Sequence, residues 1–118
     1  MPRGDEQRIV EAFCAWLRQD GWTVETEFAF VDILARKGGT TLLAEAKGIT
    51  SSPGLDVDTA YGQLLRRMPI EPQHGWRYAL VVPEETLKAA LRVPQRIRDL
   101  LGLDVYSVNQ DGAVPRRP

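Results

Sequence analysis

Asp32, Glu45 and Lys47 are the residue types from which a metal-assisted site is built: two carboxylates able to hold a hard divalent cation, and an ammonium able to serve a water and a developing negative charge. Their spacing decides whether the chain can bring them together. All three fall within VDILARKGGTTLLAEAK, Val31 to Lys47, where Gly38-Gly39 separates two short apolar runs. That pattern predicts a two-residue hairpin with a primed turn. With the glycines as the turn, Lys37 pairs with Thr40, Arg36 with Thr41, Leu34 with Leu43 and Asp32 with Glu45. Side chains alternate along a strand, so Lys47 projects on the face of Glu45. Like charges directly opposite one another destabilise a strand pair, and a divalent cation is expected to compensate them.

The flanking elements must position this hairpin. Asp5 to Asp20 predicts a helix, with Ile9, Val10, Phe13, Trp16 and Leu17 at helical spacing, Asp5 at the start and Gly21 at the end. Trp22 to Phe30 alternates as a half-buried strand. Gly48 to Leu55 reads as a loop, and Asp56 to Met68 as a helix whose apolar stripe is Val57, Ala60, Tyr61, Leu64, Leu65 and Met68, with Asp56 or Asp58 as its cap. Pro69 to Gly75 breaks the chain before a buried strand at Tyr78 to Val82. Glu84 to Arg92 and Pro94 to Leu101 predict helices, Asp104 to Val108 a last strand, and Asp111 to Pro118 a frayed tail. The order is αβββαβαβ, with no internal repeat.

A chain of 118 residues, 43% hydrophobic and 26% charged, predicts one globular domain over 1–118. Within it, the core spans about 5–82, a C-terminal helix and strand 83–108, and the tail 109–118. A net charge of −1 argues against a grip on nucleic acid by the whole surface, although a local basic patch beside an acidic site would cancel in that sum. The single cysteine, Cys14, excludes an intramolecular disulfide and reads as a core residue. No apolar run reaches membrane-spanning length, so no membrane partner is expected and a cytoplasmic location is the default.

The element order, Asp32 opening the second strand, and Glu45-Ala46-Lys47 in the third together resemble the PD-(D/E)xK nuclease superfamily. The resemblance covers about two-thirds of the chain, with Val31 standing where the motif has proline. It implies an α/β (α+β) restriction-endonuclease-like fold: an αβββαβ core with a mixed central sheet flanked by helices. It also implies Mg²⁺ or Mn²⁺ held by Asp32, Glu45 and the Ala46 carbonyl, with Lys47 assisting the attacking water and Gln63 in the next helix orienting water or phosphate. A glutamate from the first helix is expected near the metal. Glu11 is the best-placed candidate, and Glu6 and Gln7 compete with it.

The chemistry of these types agrees with that assignment. Hydrolysing a phosphodiester needs in-line attack by water on an anionic centre, and a hard cation polarises the phosphate and acidifies water. Asp56, Thr59, Gln63, Arg66 and Arg67 form a polar stripe on their helix, whose guanidiniums suit phosphate. Arg66, Arg67, Thr50 and Ser51 are the expected nucleic-acid contacts. The function so implied is a Mg²⁺-dependent nuclease acting on DNA, with RNA second. A homodimer or partner subunit is expected, through the exposed final helix and strand, because a bare core grips little DNA. The alternative is a nuclease-fold module that binds nucleic acid or a protein partner without cleavage. His74, without another His or Cys at ligand spacing, is expected in an exposed loop.

Overall fold

The Gly38-Gly39 turn sets the architecture. Gly38 adopts φ of 58°, the left-handed conformation that a primed hairpin turn requires. Around it, β2 (Val31–Lys37) and β3 (Thr40–Ala46) pair antiparallel with Lys37 opposite Thr40, Arg36 opposite Thr41 and Leu34 opposite Leu43, the register expected from the turn. A computed structural model describes residues 4–28, 31–49, 51–71 and 73–115. Phe30 of the expected first strand and Thr50 of the expected substrate loop lie outside the described residues.

Five strands form one mixed sheet in the order β1-β2-β3-β4-β5. β1 (Thr23–Phe28) runs antiparallel to β2, while β4 (Trp76–Pro83) and β5 (Leu103–Val108) continue parallel from β3. α1 (Gly4–Gln19) covers one face, where Ile9, Phe13 and Leu17 pack on Ile33, Ala35, Ala44 and Val81. α2 (Pro53–Arg67) covers the other, where Val57, Ala60, Tyr61 and Leu64 pack on Leu34, Leu43, Leu80 and Val105. The period-two alternation of each strand thus feeds two separate cores. Cys14 is buried in the first of them, and burial pushes its thiol upward. The arrangement is a mixed α+β fold compatible with a restriction-endonuclease-like core. Among the described residues, no helix is long and apolar enough to cross a membrane.

Three local expectations give way to tertiary structure. α2 begins at Pro53 rather than Asp56, because proline is well suited to a first helical turn. Asp56 therefore lies in the first turn, and the N-cap position falls to Ser52. The expected helix at Glu84 to Arg92 is instead a 3-10 turn, Glu84–Thr86, running into the short α3 (Leu87–Ala90), before α4 (Gln95–Leu101). Finally, residues 109–115 fold back on the sheet instead of fraying. The Asn109 side chain accepts hydrogen bonds from the N–H groups of Asp111 and Ala113, Arg8 donates to the Asn109 carbonyl, and Val114 is buried beside α1.

Candidate functional site

The hairpin ladder ends with Ile33 opposite Ala44, and the next step outward is Asp32 and Glu45. Their odd-even position places them with Leu34 and Leu43 on the face that α2 covers. The Ala46 backbone N–H donates to Asp32 Oδ2 at 2.8 Å, so the aspartate reaches across from β2 to the end of β3. Glu45 is only 3% exposed, an unusual setting for a carboxylate. Burial, reinforced by the charge of Asp32 and a hydrogen bond to it, pushes its carboxyl up from 4.5 to about 8. Burial also raises Asp32, against the lowering effect of the Ala46 N–H. The two acids therefore favour their protonated forms more than exposed carboxyls do, Glu45 the more strongly.

Lys47 follows immediately after β3, where its backbone N–H donates to the Val81 carbonyl at 3.0 Å. Its ammonium favours the ionised forms of both Asp32 and Glu45, so it lies near both. The next two residues are held by the start of α1. Asp5 accepts a hydrogen bond from the Ile49 N–H and a 3.1 Å contact from Arg8 Nε. Gly48 presses so closely on that helix that a Cβ there would stand 2.5 Å from the Glu6 backbone nitrogen. Asp5 thus ties the chain beyond Lys47 to α1, a role that required knowing how helix and loop dock.

The same docking decides which glutamate of α1 approaches the pair. Glu6 is close enough to raise the Asp32 carboxyl. Glu11 is exposed farther along the helix and accepts a 2.9 Å hydrogen bond from Gln7 Nε2. The structure therefore brings Glu6, rather than Glu11, toward Asp32. The two arginines of α2 also part company. Arg67 favours the ionised form of Glu45 and so lies beside the pair, whereas Arg66 is exposed on another side of the helix. Gln63 is one turn before Arg67, half-buried, and its Oε1 is buried with no hydrogen-bond partner among the described residues. Ser51 is exposed at the foot of α2, and His74 is exposed in the turn before β4.

Asp32, Glu45, the Ala46 carbonyl and the orphaned Gln63 oxygen are all hard oxygen donors, the ligand type that Mg²⁺ prefers. Among the described residues, no third His, Cys, Asp or Glu closes on the pair to complete an all-side-chain metal cluster. Mg²⁺ sites commonly use one or two carboxylates and keep several waters.

No protein-family model matches the chain, and no curated protein matches it in sequence. Two solved structures share its fold. One is an XisH family protein from Nostoc punctiforme PCC 73102, with a TM-score of 0.61 and 19% identity over 92% of this chain and 97% of that one. The other is an fdxN element excision controlling factor protein from Anabaena variabilis, with a TM-score of 0.64 and 20% identity over 93% of this chain and 97% of that one. Identities this low establish likeness of fold, and the chain is similar in architecture to both along nearly its whole length.

Proposed function

We propose that this chain is a Mg²⁺-dependent phosphodiester hydrolase acting on DNA, built on the PD-(D/E)xK plan. The observation that carries the reading is the half-buried Asp32 set against the buried Glu45 at the adjoining ends of β2 and β3, both carboxyls raised by burial, with the Lys47 ammonium near them. Setting one acid against another where one of them is buried is costly to folding, and such perturbed groups are concentrated at functional sites. A neighbour named for control of element excision makes DNA the favoured substrate class.

Asp32, Glu45 and the Ala46 carbonyl would hold the cation, with Gln63 Oε1 available to a coordinated water or to substrate. When bound, the cation supplies charge neutralisation at the phosphate and acidifies water. Glu45 would have to be ionised to serve as a ligand, so holding the cation would require it to release its proton. Lys47 donates hydrogen bonds to the attacking water or a non-bridging phosphate oxygen, holding the nucleophile in line and offsetting charge as it develops. Arg67 adds a second positive group on the α2 side. Asp5, through Ile49, fixes the chain that carries Lys47.

The test is cleavage of labelled single-stranded, duplex and branched DNA with Mg²⁺ or Mn²⁺. Activity that requires the metal and disappears in Asp32→Ala and Lys47→Ala supports the hydrolase. DNA binding without cleavage under every metal condition would instead favour a binding module, the reading suggested by the neighbour's description as a controlling factor.

A further inference from the structure

The buried stripe of α2 is Val57, Ala60, Tyr61 and Leu64. Its outward stripe is Leu55, Asp58, Thr59, Gly62, Leu65 and Arg66, in which Leu55 is 67% and Leu65 47% exposed. Gly62 stands at the middle of this stripe, although glycine is the least favourable helix-interior residue after proline. Nothing rigid inside the described molecule asks for it. A Cβ on Gly62 would meet only the tip of the flexible Arg66 side chain, at 3.5 Å. The missing side chain therefore leaves a notch on the outside of the helix, between two exposed leucines.

We infer that this face of α2 pairs with the same face of a second copy of the chain, the two helices crossing antiparallel at Gly62. The sequence around the crossing is self-complementary. Asp58 and Arg66 lie four residues either side of Gly62, so a two-fold axis through the glycine sets Asp58 opposite the partner's Arg66, twice. Thr59 and Leu65 lie three residues either side and meet in the same way. Glycine at the crossing lets the helix axes approach closely, since that separation depends on the contact side chains. Among the described residues, neither Asp58 nor Arg66 enters an ion pair. One carboxylate and one guanidinium leave the stripe neutral, which offers little to a polyanion. Gln63 and Arg67 lie about 100° and 140° round the helix from Gly62, and Arg67 acts on Glu45, so the contact is centred away from the carboxylates.

Light scattering and sedimentation of the full chain at tens of micromolar test the contact. The expected mass is twice the 13.2 kDa monomer. Asp58→Arg and Arg66→Asp are each expected to raise the dimer dissociation constant by about tenfold or more, since each creates two like-charge contacts. Mixing these two variants, or combining them in one chain, is expected to restore association because opposite charges face each other again. Gly62→Ala gives a readout of opposite signs: a higher melting temperature for the dilute monomer, from better helix propensity, with weaker dimerisation. A wild-type protein that stays monomeric overturns the inference, as does a dimer indifferent to the charge reversals or to Gly62→Ala. Reversals that weaken the dimer without mutual rescue also overturn it. So does a monomer whose DNA affinity alone responds to these changes, which would assign the stripe to nucleic acid. Association is read separately from cleavage, so either result stands whatever the nuclease assay finds.

Discussion

The backbone N–H of Ala46 donates a 2.8 Å hydrogen bond to Asp32 Oδ2, joining the start of β2 to the end of β3 through a side chain. Asp32 consequently has a structural duty as well as a chemical one. Asp32→Ala leaves that N–H without its partner and is expected to cost about 1–3 kcal/mol. Asp32→Asn keeps an acceptor oxygen and should melt close to the wild type, while losing Mg²⁺ binding and cleavage. Thermal melts alongside a metal titration distinguish the two variants, and an asparagine variant that still cleaves DNA would remove Asp32 from the chemistry.

The Glu45 carboxyl makes stability depend on pH with a definite sign. Its folded value of about 8 lies above the 4.5 expected of an ordinary glutamate. Between those values the folded state holds a proton that the unfolded chain has released, so stability declines as pH rises through that window and levels off above it. Asp32, also raised, acts in the same direction. Melting temperature measured from pH 5 to 9 should fall across the range, and Glu45→Gln should flatten the slope.

Magnesium is expected to reverse that trend. Holding the cation would require Glu45 to be ionised, so affinity should rise by up to about tenfold per pH unit below the Glu45 transition and proton release should be visible in weakly buffered calorimetry. At a cation concentration about a hundredfold above its dissociation constant, the gain is about 2.7 kcal/mol, or a rise in melting temperature on the order of 10 °C for a domain of this size. Equal stabilisation at pH 6 and pH 9 would mean that the ion binds elsewhere.

Lys47→Ala should lower the cleavage rate by about 10²–10⁴-fold with little change in Mg²⁺ affinity, because the ammonium acts on the nucleophile and transition state rather than as a ligand. Single-turnover rates at saturating metal provide the measurement. A loss of metal binding equal to the loss of rate would assign Lys47 to holding the site together instead.

Gly48→Ala forces a methyl against the backbone of Glu6 and should destabilise the fold by about 1–3 kcal/mol. Asp5→Ala removes the acceptor for Ile49 and should cost about 1 kcal/mol. Both should reduce cleavage more than metal affinity, since the carboxylates sit on the strands while the lysine follows them. Denaturant midpoints and single-turnover rates read the two effects separately.

Much of this site was legible because its geometry is local. Two glycines between apolar runs fixed the pairing of Leu34 with Leu43, and strand alternation then put Asp32 and Glu45 toward one helix. What escaped depended on distant docking. Choosing Glu6 over Glu11 required the start of α1 to be seated on Gly48 and Ile49, which helical spacing alone does not encode. The ordered segment from Asn109 to Val114 likewise owes its place to Arg8 at the other end of the chain. Arg66 and Arg67 are neighbours in sequence, yet successive helix positions point about 100° apart, and only α2's docking shows which one faces Glu45.

β3 is the strand where the antiparallel and parallel halves of the sheet meet, with a neighbour bonded along each edge and a helix over each face. Amides there should exchange with solvent only when the entire molecule opens, giving Glu45 a mounting as durable as the fold itself. Lys47 lies just past that mounting, its backbone still bonded to Val81, and the residues that follow it are held by Asp5 at the head of α1. Durability and adjustability are thus divided between two residues separated only by Ala46. Loosening the helix head would move the lysine while leaving the acids where they are.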